Sequence, residues 1–124
     1  DYMEEEVLSQ VETDREEDTG PLNSFVYYLD ENGEIHDDFR VQYARDHMIQ
    51  TQEAIEDGVD VMGYLWWGPI DVVSAGTGEM KKRYGFVYVD RFNDGTGTLK
   101  RSKKNSYEWM KQVCESNGAS LFEE

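Results

Sequence analysis

Apolar positions divide the chain into a polar start and a patterned remainder. Between Asp37 and Asp57, Val41, Ala44, Met48, Thr51 and Ile55 recur at steps of three and four, which is one stripe of an α-helix. Asp37 and Asp38 would cap its start and complement its dipole. Gly58 stands where a left-handed residue commonly ends a helix. Val59 to Trp67 follows at once and, apart from Asp60, is nearly all apolar or aromatic, the pattern of a strand buried on both faces. A helix, a tight glycine turn and a doubly buried strand form half of an α/β repeat.

The flanking segments follow the same logic. Phe25-Val26-Tyr27-Tyr28-Leu29 predicts a strand that closes on the turn residues Asp30-Glu31-Asn32-Gly33. Tyr84 to Val89 predicts another strand, Asn93 to Gly97 a hairpin turn, and Thr98 to Arg101 a short return. Ser102 would cap a last helix in which Tyr107, Met110 and Cys114 share a face, with Trp109 and Val113 beside them and Asn117-Gly118 at its end. On that face Cys114 is expected to be a core residue, not a nucleophile.

Length and charge narrow the class. At 124 residues there is material for one small domain. The net charge of −15 is unevenly spread: nine acidic side chains stand against Arg15 alone between Asp1 and Asp18, whereas Lys81 to Lys111 is predominantly basic. Such an acidic total argues against nucleic acid as a partner. Residues 1 to 23 carry few apolar groups and read as a loosely held arm, within which Val7, Leu8 and Val11 have helical spacing. A single cysteine excludes an internal disulfide, and no apolar run approaches a membrane span. A cytoplasmic chain with no membrane partner is the expectation.

The candidate chemistry lies between Trp66 and Tyr88. The run breaks at Gly68-Pro69, crosses the small-residue loop Ser74-Ala75-Gly76-Thr77-Gly78, and lands on Lys81-Lys82-Arg83 before the next strand. Hydroxyls, loop backbone and ammonium groups beside two tryptophans suit a phosphorylated sugar: the aromatic faces cover the ring, and the cations hold the phosphate. On charge alone the basic cluster reads equally as a solvated turn. His36 and His47 lack metal-ligand spacing with Cys114 or with each other, so no metal is expected.

Several of these stretches resemble a known family. His36-Asp37-Asp38-Phe39-Arg40, Tyr43, His47, Trp67-Gly68-x-x-Asp71, Gly78-Glu79-Met80 through Tyr88-Val89-Asp90, and Lys100-Arg101-Ser102-Lys103-Lys104-x-Ser106 are similar to the C-terminal part of family 1 glycoside hydrolases. The similarity is greatest to the bacterial 6-phospho-β-glucosidase branch and runs from about residue 29 to 118. It implies an α/β fold, the C-terminal fragment of a (β/α)8 TIM barrel, comprising the last helix-strand-helix units plus a β-hairpin. It also implies three regions: an acidic arm (1–28), the barrel part (29–118) and a tail (119–124). Val59 to Trp67 would be the eighth strand, and the loop after it would cover the sugar-binding mouth.

The family hydrolyses β-glycosides with retention, using two Glu carboxylates about 5 Å apart. Neither motif is expected here. Asp30-Glu31-Asn32-Gly33 imitates the nucleophile motif, but Glu31 lies only five residues before His36 and matches the acidic turn that precedes His-Asp-Asp in many members. The resemblance therefore implies no catalytic residue in this chain, and no activity for the chain alone. It implies a phosphate-binding trio of Ser74, Lys82 and Tyr84, sugar stacking on Trp67, a core position for Trp66, a phosphorylated β-glucoside as the small-molecule partner, and no cofactor. Non-phosphorylated relatives usually have a Glu at the position of Ser74, and many phospho members have a second serine at the position of Gly76. An alternative from another class is a non-catalytic interaction module that captures a partner through its acidic arm. A lone barrel strand would leave apolar surface uncovered, so association into oligomers is a further expectation.

Overall fold

A computed structural model of the chain describes residues 28–123. The acidic arm and its short helix, and the strand residues 25–27, lie outside the described residues. The rest of the first predicted strand is β1 (Tyr28–Leu29), paired antiparallel with β2 (Ile35–His36) in the register Tyr28↔His36 and Leu29↔Ile35. The acidic turn joins them: Gly33 takes φ +79, and the Asp30 carboxylate accepts the amides of Asn32 and Glu34, both at 2.9 Å. Glu31 is an exposed residue of this turn.

The turn is tied down by His36, whose Nε2 lies 2.8 Å from Asp30 while Nδ1 faces the Asn105 amide at 3.0 Å. The hydrogen bond to Asp30 raises the His36 pKa above 6.5, and the same contact lowers that of Asp30 below 3.8. The signs set a window. The histidine's contribution is fully present below pH 6.5 and disappears as pH rises through the folded-state value, whereas the aspartate's is lost as pH falls below 3.8. An NMR titration of the His36 ring is expected to give a midpoint above 6.5 that Asp30→Asn moves back toward 6.5. A midpoint below 6.5 in the parent chain would contradict the pairing.

The first helix, α1 (Asp38–Glu56), matches the periodic stretch, and Gly58 follows it at φ +96. Ala44 is buried and Val41, Met48 and Thr51 are half-buried, but Ile55 at the far end is exposed. Asp37 does not cap this helix through its side chain. Its carboxylate instead accepts the Ser106 amide at 2.9 Å and pairs with Arg40 at 2.7 Å, so it caps the second helix, α2 (Asn105–Glu115). Ser102, expected as that cap, lies in a strand. Helix α2 also begins later and is turned relative to expectation: Ser106 and Val113 are buried, Tyr107, Trp109 and Met110 half-buried, and Cys114 exposed. Starting at Asn105 with its cap supplied by Asp37, the helix buries Val113 and leaves Cys114 exposed. A 3-10 turn (Ala119–Phe122) closes the chain and buries Leu121.

Two further strands, β3 (Val87–Val89) and β4 (Arg101–Lys103), form a hairpin around the expected turn. The first is shorter than the expected Tyr84 to Val89, and the return begins at Arg101, where Thr98 to Arg101 was expected, because Asp90 engages Thr98 within the hairpin turn. Asp90 and Asp94 organise its turn by accepting the hydroxyl and amide of Thr98 and of Thr96, contacts that lower both carboxyl pKa values. The Pro69–Asp71 segment runs parallel to β3 through Asp71 N–H to Val87 O (2.9 Å) and Phe86 N–H to Pro69 O (2.9 Å). Gly85 makes that approach feasible, since a Cβ there would lie 2.5 Å from the Ile70 carbonyl carbon. Ile35, Ala44, Met80, Phe86, Val89, Val113 and Leu121 form the apolar core.

The expected eighth strand is not a strand. Val59 to Trp67 is irregular, and among the described residues no strand pairs with it. A parallel strand needs neighbours on its edges, and among the strands each of β1 to β4 pairs only with the other strand of its own two-stranded sheet. The segment is anchored at its end by Trp66. Its indole donates to Tyr84 O at 2.8 Å, and its ring packs 4.9 Å from Phe86 and edge-on to Tyr43 at 5.8 Å.

Candidate functional site

Ser74, Lys82 and Tyr84 lie on the two limbs of the loop between Trp67 and β3. The first limb turns back on itself: Ser74 N–H donates to Glu79 O at 2.9 Å, and Gly78 N–H to Ser74 O at 2.8 Å. The second limb is held by Asn93, whose side-chain oxygen accepts the amides of Met80 (2.7 Å) and Lys81 (3.0 Å). The closure brings the Tyr84 hydroxyl to 3.5 Å from Ser74 Oγ. All three residues are buried, at 3% exposure for Ser74, 7% for Lys82 and 2% for Tyr84.

Glu79 is the member of this neighbourhood that the sequence did not single out. Its carboxyl pKa is lowered first by the Lys81 ammonium at 3.0 Å, then by the Thr77 hydroxyl and by the charge of Lys82. Lys82 is thus near enough to Glu79 for their charges to interact, while Thr77 gives its hydroxyl to the same carboxylate. Trp67 presents its ring to solvent at 58% exposure, whereas Trp66 is half-buried.

The third member of the basic cluster has a different task. Arg83 is buried with φ +46, a left-handed conformation that costs a non-glycine residue about 1–2 kcal/mol. Its guanidinium donates to Val89 O (2.6 Å) and Arg91 O (2.7 Å), and lies over the Tyr88 ring at 4.4 Å. Its carbonyl receives Arg40 and Lys104. These bonds hold the turn that sets Lys82 and Tyr84 on either side of it.

Beneath the turn lies a knot of buried charge. Lys104 Nζ donates to Asp71 (2.7 Å), Gly85 O (2.7 Å) and Arg83 O (3.2 Å). Asp71 also accepts the Gly85 amide at 3.0 Å and faces Arg83 at 3.6 Å. Burial, with the Arg40 charge adding to it, lowers the Lys104 pKa to about 7 against the upward pull of Asp71. Every member of this knot stands in one of the stretches that carried the family resemblance. Those residues shape the loop from within.

Asp30, Glu34 and His36 bring ligand atoms within 4.8 Å of one another, the geometry of a metal cluster. Each of Asp30 and His36 is already bonded within the turn or to Asn105, so the arrangement reads as a structural tie. No helix among the described residues is long and apolar enough to cross a membrane.

Residues 23–119 match the profile described as "Glycosyl hydrolase family 1". The aryl-phospho-β-D-glucosidase BglH of Bacillus subtilis is 59% identical over 93 residues, covering 75% of this chain and 20% of its own length. The phospho-cellobiase of Klebsiella oxytoca is 58% identical over 95 residues, covering 77% and 20%. The family 1 β-glucosidase of Thermotoga maritima superposes with a TM-score of 0.65 at 36% identity over 74% of this chain and 19% of that one. In its complex with a substituted glucoimidazole, the alignment extends to 93% of this chain and 26% of that one, at 29% identity. The chain spans about a fifth of the length of the curated relatives it matches. With its small sheets and two helices it is consistent with a piece of the barrel of those neighbours. A profile covering most of the chain, and relatives this similar across three-quarters of it, lead to one assignment: the chain belongs to glycosyl hydrolase family 1.

Proposed function

We propose that this chain supplies the phosphate- and sugar-recognition part of a 6-phospho-β-glucosidase, with Ser74, Lys82 and Tyr84 gripping the phosphate and Trp67 stacking on the sugar. The observation that carries the reading is the approach of the Tyr84 and Ser74 hydroxyls to 3.5 Å on a loop that also bears Lys82. Two hydroxyl donors and an ammonium match the needs of a phosphate dianion. A carboxylate in place of Ser74 would instead repel the dianion, by several kcal/mol at 4 Å and intermediate dielectric. Relatives at this similarity bear names that specify phosphorylated β-glucosides, which supports the same substrate class.

Gly76 offers no side-chain donor, and the Thr77 hydroxyl is turned to Glu79, so the phosphate would rest on the trio. Binding would draw Lys82 away from Glu79. Hydrolysis itself requires the two carboxylates of a retaining glycosidase, and we assign no residue of this chain to either role.

Glucose 6-phosphate titrated into the chain is expected to shift the amide signals of residues 74–84, with glucose alone leaving them in place. Lys82→Ala is expected to abolish the shift. Equal responses to the two sugars would overturn the phosphate assignment.

A further inference from the structure

Three consecutive carbonyls on the second limb of the loop are taken by side-chain donors. Arg40 and Lys104 hold that of Arg83, the Trp66 indole holds that of Tyr84, and Lys104 holds that of Gly85. Lys104 reaches both limbs at once, because the same ammonium donates to Asp71, three residues before Ser74 on the first limb. Tyr84 stands between the two carbonyls that Lys104 holds, and it is the Tyr84 hydroxyl that meets Ser74 Oγ at 3.5 Å. The lysine is itself fixed from outside the loop: its N–H donates to Phe86 O at 3.0 Å, and it forms a parallel bridge with Ile35 of β2. Its side chain is wholly buried, so no water substitutes for these partners. Three acceptors use every proton of an ammonium, whereas a neutral amine carries only two.

We propose that Lys104 is a positioning residue for phosphate recognition, its ammonium stapling the Asp71 limb to the Arg83–Gly85 limb and so setting the spacing at which Ser74, Lys82 and Tyr84 meet the ligand. It touches no substrate and acts through Asp71 and the Arg83 carbonyl. Lys104 has this role only if the trio binds phosphate, so the assignment rests on that reading. The charged groups around the ammonium are Asp71 on the first limb, Arg83 on the second, Arg40 on α1 and Asp37 just before it. Burial, then the Arg40 charge, brings the lysine pKa down to about 7 against the upward pull of Asp71 and Asp37. Near neutrality the staple therefore loses a proton, and Arg83 O, the longest of its contacts at 3.2 Å, is the one released. Phosphate affinity then falls as pH rises through about 7, where a phosphate monoester with a second pKa of about 6 is already mostly dianionic.

The test uses the full chain. NMR follows the Lys104 side chain and the amides of Ser74 and residues 83–85 as pH is raised from about 6 to about 9. A shared midpoint near 7 is expected, and Lys104→Met is expected to remove it from those amides. Glucose 6-phosphate is then titrated at both ends of that range. The parent is expected to bind roughly fivefold more weakly at the high end, and Lys104→Met to bind weakly at both with no such fall. A merely structural lysine would give an affinity that does not follow its titration. Should Lys104→Met fail to fold, the parent decides alone: amides at 74 and 83–85 that do not move with the Lys104 side chain overturn the proposal. Equal binding by the parent and Lys104→Met, with Lys82→Ala impaired, would overturn the positioning role and leave the phosphate reading standing. If Lys82→Ala also bound as the parent does, or the parent did not bind, the phosphate reading would fall and the proposal with it.

Discussion

Asp71→Ala is expected to destabilise the folded chain by about 3–5 kcal/mol, because it strands buried cations that the carboxylate now satisfies. The Asp71 and Lys104 side chains are both wholly buried, 2.7 Å apart, with Arg83 at 3.6 Å and the Gly85 amide also on Asp71. Removing the carboxylate leaves the ammonium only Gly85 O and Arg83 O, with the Arg40 guanidinium nearby. It also frees Gly85, which must stay against Ile70 and Asp71 for β3 to meet the Pro69–Asp71 segment. Lys104→Met leaves Asp71 partly compensated by Arg83, so a smaller loss is expected. The double variant Asp71→Ala with Lys104→Met is expected to lose less than the sum of the singles, since the Lys104 ammonium is then not left without its carboxylate. Urea unfolding of the four proteins checks this. A loss below about 1 kcal/mol for Asp71→Ala would place the pair among surface ion pairs and contradict the reading.

What could be read from the sequence was mostly local. The apolar stripe and Gly58 gave helix 37–57 where α1 is Asp38–Glu56, and Asn32-Gly33 and Asn93 to Gly97 marked the turns between paired strands. These depend on spacing and on backbone conformations that few residues favour. Contacts between distant positions were not legible. The cap on α2 comes from Asp37, 69 positions away, and a local rule could only nominate Ser102. Cys114 was placed in the core for the same reason, since the phase of α2 follows from where that cap starts it.

The candidate site divides similarly. Resemblance named Ser74, Lys82 and Tyr84, and the loop closes so that the first and last of these meet. Composition could not distinguish Lys82 from Arg83, because which cation is used inside depends on Val89, Arg91 and Tyr88 across the turn. Glu79 carried no distinguishing signal beyond its place in a quoted stretch. For 59–67, the apolar pattern describes a segment with partners on its edges, and among the described residues it has none. Pattern reports what a segment can do in company. Pairing requires the company.

The second large effect concerns selectivity. With residues 29–118 carried in the Klebsiella oxytoca phospho-cellobiase in place of its own matching segment, Lys82→Ala is expected to remove a charge-assisted contact of about 1.5–3 kcal/mol with the phosphate. That corresponds to a roughly 10- to 150-fold fall in kcat/KM for phosphorylated substrate. Lys81→Ala serves as control, since Lys81 is exposed and already paired with Glu79 at 3.0 Å. The most direct measurement is kcat/KM on an aryl β-glucoside 6-phosphate and on its non-phosphorylated counterpart, for the parent chimera and for Lys82→Ala. The fall should be confined to the phosphorylated substrate. A fall of equal size on both substrates, or none on either, would contradict the claim that this loop recognises phosphate.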